Sequence, residues 1–302
     1  MSNQNTTVGA AVDVLSLHME EGANDPLHLT GSSLPFPTGR IYGGQIMAQS
    51  IMAASWSVPK DRVPNSVHGY YLRTGLLDQD VRFDVQNLRD GRSYSTRMVD
   101  ASQPDRAILK VMLSFQETGQ EGVKYADPMP VGLPDPEGLT SARELMAPYA
   151  ADSAFAAYYA EQSPFDIRHI TPTIMLGPDQ TSQEADSGRQ MVWMRTNGRA
   201  RMNQTMQRAM LALGCDQLMM EPALRRTGLS ISTPGISYAS IDHSMWWYED
   251  IDMSDWVLFV QDTSVADHGR ALCSAKVYQR GELVSAMAQE AMIRVPKPAA
   301  AD

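Results

Sequence analysis

Between Arg208 and Glu221 one charge, Asp216, stands among alanines, leucines and methionines. On a helix, Ala209, Ala212, Leu213, Met219 and Met220 lie three, four or seven places away and share its face, so the carboxyl points into an apolar stripe. Burying an unpaired carboxylate costs several kcal/mol or more, roughly, so the fold must supply hydrogen-bond donors or hold the group neutral. Either outcome suits an acid/base residue; an Asp at the edge of the stripe, partly solvated, is the plainer alternative. Two further polar residues interrupt apolar surfaces in the second half. Gln289 shares a strand face with Ser285, Met287, Ala291 and Ile293, and its amide could donate to a carboxylate across the core or meet water at an edge. Ser240 carries a hydroxyl that both donates and accepts, or serves only its own strand.

Two units of the same design would have to position these groups. In the first, Gly43-Gly44 leads into a helix to about Trp56, stopped by Pro59, and strands follow near 66–72, 81–89, 93–100 and 107–116. Asp90-Gly91 marks a hairpin turn. In the second, a strand at 190–196 precedes a helix over 203–220, and strands follow near 236–245, 256–263, 271–279 and 283–293. Residues 119–162 are rich in Pro, Ala and Gly, with a short helix at 141–149, and read as an ordered linker. A helix followed by antiparallel strands, done twice, predicts an α+β fold with domains at 1–117 and 171–302 joined by a linker at 118–170.

The chain has 302 residues and a formal charge of -10, which disfavours nucleic acid or an anionic membrane surface as partner. Cys215 and Cys273 stand alone, without a CxxC pair or Cys/His array, so neither a zinc site nor a disulfide framework is expected. The polar start, residues 1–9, lacks the pattern of a signal peptide, no apolar run reaches membrane-spanning length, and a cytoplasmic setting fits. Gly43-Gly44 lacks the further glycine and acid of a dinucleotide site, and no cofactor or metal is implied. His68, beside Tyr70 and Tyr71, could contact a substrate or assist proton transfer, or be structural. Cys215 lacks a base nearby in sequence and is not expected to act as a nucleophile.

The segment Ala239-Ser240-Ile241-Asp242-His243-Ser244-Met245-Trp246 resembles the signature strand of the type II acyl-CoA thioesterases, the TesB-like double-hotdog family. Gly39-Arg40-Ile41-Tyr42-Gly43-Gly44-Gln45, Val67-His68-Gly69-Tyr70-Tyr71-Leu72-Arg73, Leu88-Arg89-Asp90-Gly91-Arg92-Ser93-Tyr94-Ser95 and Gln289-Glu290 agree in order. The resemblance implies a double hotdog, two antiparallel sheets each wrapped around a long central helix. It implies hydrolysis of fatty acyl-CoA to fatty acid and CoA, with Asp216, Ser240 and Gln289 holding the attacking water and Ser240 standing where the family also uses Thr. Helix-start amides at Gly43 and Gly44 are one candidate for oxyanion donors. A homodimer or homotetramer is expected. Two rivals stay open: an enoyl-CoA hydratase on the same fold, and a non-catalytic acyl-CoA-binding sensor.

Overall fold

The computed structural model describes residues 7–24, 27–180, 182 and 184–295, so most of the polar start lies outside the described residues. Helix α1 (Thr7–Leu15) is followed by β1 (His18–Asn24), β2 (Leu27–Gly31), helix α2 (Gly43–Ser55) and strands β3 (Arg62–Tyr71), β4 (Val81–Asp90), β5 (Tyr94–Gln103) and β6 (Arg106–Glu117). The middle segment holds the short helices α3 (Ala142–Met146) and α4 (Ala154–Ala157). The second half runs β7 (Phe165–His169), α5 (Glu184–Ser187), β8 (Gln190–Thr196), α6 (Gln204–Cys215), α7 (Glu221–Arg226), β9 (Ser237–Ser240), β10 (Asp242–Trp247), β11 (Val257–Asp267), β12 (Arg270–Gln279) and β13 (Glu282–Arg294).

The duplication read from the sequence is visible in the strand order. The first half is laid out β2-β4-β5-β6-β3 and the second β8-β11-β12-β13-β10, in each case with the strand after the helix paired to the last one. All pairings are antiparallel. Where two separate sheets were expected, β3 pairs with β10 over Ser66–Tyr70 and Asp242–Trp246 and joins the halves into one continuous sheet. Edge strands left unpaired at that seam would expose two rows of amides and carbonyls, and joining them satisfies both.

Helices α2 and α6 pack against each other, and α2 also covers β3 to β6. The contact is close because Gly44 has no side chain: a Cβ there would lie 2.6 Å from the Leu213 carbonyl oxygen. Helix α6 begins as predicted, with the Asn203 side chain accepting from the Met206 amide at 2.9 Å. It ends earlier than predicted, at Cys215 rather than 220. Pro222 has no amide hydrogen to give Leu218, so the chain turns over 216–220 and restarts as α7 with the proline in its first turn. The freed Leu218 carbonyl accepts from the Glu221 amide and from Gln261 Nε2, both at 3.1 Å.

The linker is ordered by what it covers. Ser141 and Glu144 form a reciprocal cap on α3, inside the helix expected at 141–149. Met129, Leu133 and Leu139 pack on an apolar cluster formed by Trp193, Leu258 and Tyr278. Lys124 and Lys276 pin the same strap through Glu249 and Asp127. No helix among the described residues is long and apolar enough to cross a membrane.

Candidate active site

Three elements deliver Asp216, Ser240 and Gln289 to one point. Gln289 comes from β13, where Ser285, Met287, Gln289 and Ala291 alternate inward and are buried, as the period-two pattern predicts. Ser240 ends β9 opposite Ala291, and Ser244 of β10 lies opposite Ala288. Four steps along the β9–β10 segment thus match three along β13, and the extra residue is a bulge around Ile241 and Asp242. The Ile241 amide still bonds to the Glu290 carbonyl at 2.8 Å, and the Glu290 amide is taken by Asp242 Oδ1 at 3.0 Å. The bulge matters because strict alternation would send residues 240 and 243 to opposite faces. With it, Ser240 and His243 both point inward, one on each side of Gln289.

Asp216 caps the C-terminal end of α6 and is half-buried, so it is a group at the margin of the apolar stripe that the fold furnishes with donors. Its Oδ1 accepts from Ser240 Oγ at 3.2 Å and from Gln289 Nε2 at 3.0 Å, and Gln289 Nε2 also donates to Ser240 Oγ at 2.7 Å. Its Oδ2 faces the start of α2: a Cβ on Gly43 would lie 2.8 Å from that oxygen and 3.3 Å from the Tyr71 ring. The first amides of α2, at Gly43 and Gly44, have no carbonyl four residues back, and the N-cap residue Tyr42 offers no side-chain acceptor. The positive end of α2 therefore meets the carboxylate that the negative end of α6 presents. The turn holding Asp216 is braced from behind, where Gln190 Nε2 donates to Glu221 Oε2 at 2.7 Å and to Gln261 Oε1 at 3.1 Å.

Of the six residues singled out in the sequence, Asp216, Ser240, Gln289, Gly43 and Gly44 come together. His68 does not. It is three positions from the inward Tyr71 on β3, so it lies on the outer sheet face, with Nδ1 3.0 Å from Ser244 Oγ and its ring edge-on to Trp246 at 5.1 Å. Burial lowers its imidazole below the usual histidine range.

Sequence reasoning missed His243 and a ring of tyrosines. His243 is 2 % exposed, with Nδ1 2.7 Å from Gln289 Oε1 and Nε2 3.7 Å from Cys215 Sγ. Tyr71 Oη donates to the Gly43 carbonyl at 3.2 Å. Burial, with Asp216 as the next cause, pushes the phenols of Tyr42 and Tyr71 well above the ordinary range, so both stay protonated. The Tyr71 signal was present: alternation already set it on the face opposite His68. Burial likewise pushes up the Cys215 thiol, which leaves it a poor nucleophile. No cluster of metal-ligating side chains occurs among the described residues.

In the first half the polar side chains of the central helix serve structure. Gln49 Nε2 donates to the carbonyls of Val14 and Ser32, and Ser50 Oγ to that of Ile46. A cavity of about 370 Å³ opens beside the site, lined by Leu34, Phe36, Tyr42, Gln45, Tyr158 and Leu213, the last one helical turn before Asp216.

The sequence pattern of a family described as "Acyl-CoA thioesterase N-terminal domain" matches residues 32–116, and that of its "Acyl-CoA thioesterase C-terminal domain" matches residues 136–293. Acyl-CoA thioesterase 2 of Haemophilus influenzae is 30% identical, over 89% of this chain and 93% of its own. Acyl-coenzyme A thioesterase 8 of Mus musculus is 30% identical over 85% of this chain and 81% of its own. Among solved structures, the tesB protein of Mycobacterium avium subs paratuberculosis superposes with a TM-score of 0.75 at 28% identity, covering 95% of this chain and 100% of that one. Acyl-CoA thioesterase II TesB2 of Mycobacterium marinum gives 0.73 at 28% identity, covering 95% and 98%.

Proposed function

The chain belongs to the acyl-CoA thioesterase family, and on that premise we propose that it hydrolyses fatty acyl-CoA to free fatty acid and CoA with a water activated by Asp216. The observation that carries the assignment of roles is the convergence of Ser240 Oγ and Gln289 Nε2 on Asp216 Oδ1, which leaves Oδ2 facing the start of α2. A water between Oδ2 and the thioester carbon attacks as Asp216 takes its proton. The oxyanion that forms on the carbonyl receives the amides of Gly43 and Gly44, donors fixed in place before the reaction begins. Collapse expels the CoA sulfur, which recovers the proton from Asp216. Ser240 and Gln289 hold the carboxylate in one orientation throughout, and no covalent intermediate forms.

The acyl chain occupies the cavity whose lining residues Tyr42 and Leu213 lie one residue before Gly43 and three before Asp216 in the chain. Each half of the sheet curves around its helix as a hotdog, with 1–117 and 171–302 as the two domains and 118–170 as the linker. Two or four copies assemble in the cytoplasm. The exposed Tyr70 on β3 and Met112 on the neighbouring β6 support the assembly, and the two free cysteines are compatible with a reducing compartment.

Free-thiol release from short, medium and long acyl-CoA, run as a single turnover with enzyme in excess in ¹⁸O-water, tests both reaction and route. Direct attack by water predicts label in the fatty acid of the first turnover. Unlabelled acid, with label left on Asp216, would mean that the carboxylate itself attacks. Loss of enoyl absorbance from an enoyl-CoA assayed alongside, without thiol release, would mean a hydratase, and saturable binding without turnover a sensor.

A further inference from the structure

Behind the hydrolytic site the direction of each hydrogen bond from His243 to Asp216 follows from what each group can donate. A carboxylate only accepts, so the group of Gln289 that lies 3.0 Å from Asp216 Oδ1 and 2.7 Å from Ser240 Oγ is the amide NH2, and both its hydrogens are used. The Ser240 hydroxyl then has its own hydrogen free for Asp216 Oδ1 at 3.2 Å. With the NH2 on that side, Gln289 Oε1 must face His243 Nδ1 at 2.7 Å, and this nitrogen carries the imidazole hydrogen. The unprotonated Nε2 lies 3.7 Å from the Cys215 thiol, a weak donor that also has the Ala212 carbonyl at 3.4 Å. The reversed amide would set Oε1 against the carboxylate, oxygen facing oxygen in a partly buried site, where such a mismatch is costly.

We infer that His243 is a positioning residue for acyl-CoA hydrolysis: its Nδ1–H locks Gln289 in the one amide orientation that gives both NH2 hydrogens to Asp216 and Ser240. The inference rests on the roles proposed above for Asp216, Ser240 and Gln289. His243 touches no reacting atom and acts through Gln289 alone, so its removal changes turnover rather than substrate affinity.

The test compares His243→Asn, His243→Leu, Gln289→Ala and the His243→Leu/Gln289→Ala double variant by CoA thiol release, with the thermal transition of each recorded. Asn places an N–H where Nδ1–H stands, and Leu fills similar space without one. The expected result is that His243→Leu loses about 10- to 100-fold in kcat with KM within about threefold. His243→Asn returns to within about fivefold of wild type, and the double variant is no slower than Gln289→Ala, because both changes abolish one interaction. A His243→Asn protein as slow as His243→Leu while melting like wild type would overturn the inference, as would losses that multiply in the double variant. Gln289→Ala at full speed would overturn the proposed site itself, whereas a slow Gln289→Ala beside a fast His243→Leu would overturn only the role of His243.

Discussion

Asp216 Oδ1 accepts two hydrogen bonds and Oδ2 faces a helix start, so the two oxygens of one carboxylate have different work. The partner chain behind them is neutral at its far end. Burial pulls the His243 imidazole below the usual histidine range; Asp216, the bond to Gln289 and Asp242 push the other way and only partly offset it. The unfolded chain takes a proton on this imidazole as pH falls through about 6.5, and the folded protein does so only at lower pH. Between those values the unfolded state binds more protons, so the contribution of His243 to stability is fully present above about pH 6.5 and lost on acidification. Melting curves from pH 7.5 to 5 should therefore show a shallower acid-side fall in Tm for His243→Asn than for wild type. The depressed carboxyls of Asp90 and Asp252 act alike in both proteins and cancel. Equal slopes would mean that His243 titrates alike folded and unfolded. Asp216 was legible in the sequence because a lone carboxylate in an apolar helix is conspicuous; His243 was not, because simple alternation set it on the wrong face.

The elements that present these residues meet at two consecutive glycines with different duties. A methyl on Gly43 would enter the space in front of Asp216 Oδ2, whereas one on Gly44 would strike the Leu213 backbone. Gly43→Ala should lower kcat by at least about tenfold with a small change in Tm, since the proposed mechanism puts substrate in the obstructed space. Gly44→Ala should cost about 1–3 kcal/mol of stability, because two helix backbones must part. Paired kcat and Tm measurements check both, and the reverse pattern would place the reacting space on the wrong side of α2. Helix starts and strand alternation were readable at this scale: Asn203 caps α6, and the inward face of β13 is as expected. The helix end and the break between β9 and β10 were not. Pro222 stops α6 from beyond its last residue, and nothing in residues 239–244 marks where the one-residue bulge falls.

At the scale of the molecule, two repeats share one sheet and one helix pair. The seam is β3 against β10, and the site draws Gly43 from the first repeat and Asp216 from the second. Neither half alone holds both Gly43 and Asp216. Residues 136–295 expressed without the rest should fail to give a cooperative melt, because α6 loses α2 and β10 loses β3. A sharp transition from that fragment would show that the seam is dispensable. The repeat was legible because each unit carries its own helix and strand pattern. The seam was not, since nothing local in β3 or β10 says which edge meets which.

The most direct measurement is the turnover of wild type and Asp216→Asn on the same acyl-CoA, read as thiol release with both proteins shown to bind substrate and to melt alike. Asn keeps the shape of the side chain and removes the oxygen that takes the proton, so kcat should fall by about two to four orders of magnitude. A variant within a few-fold of wild type would contradict the assignment of Asp216 as the base.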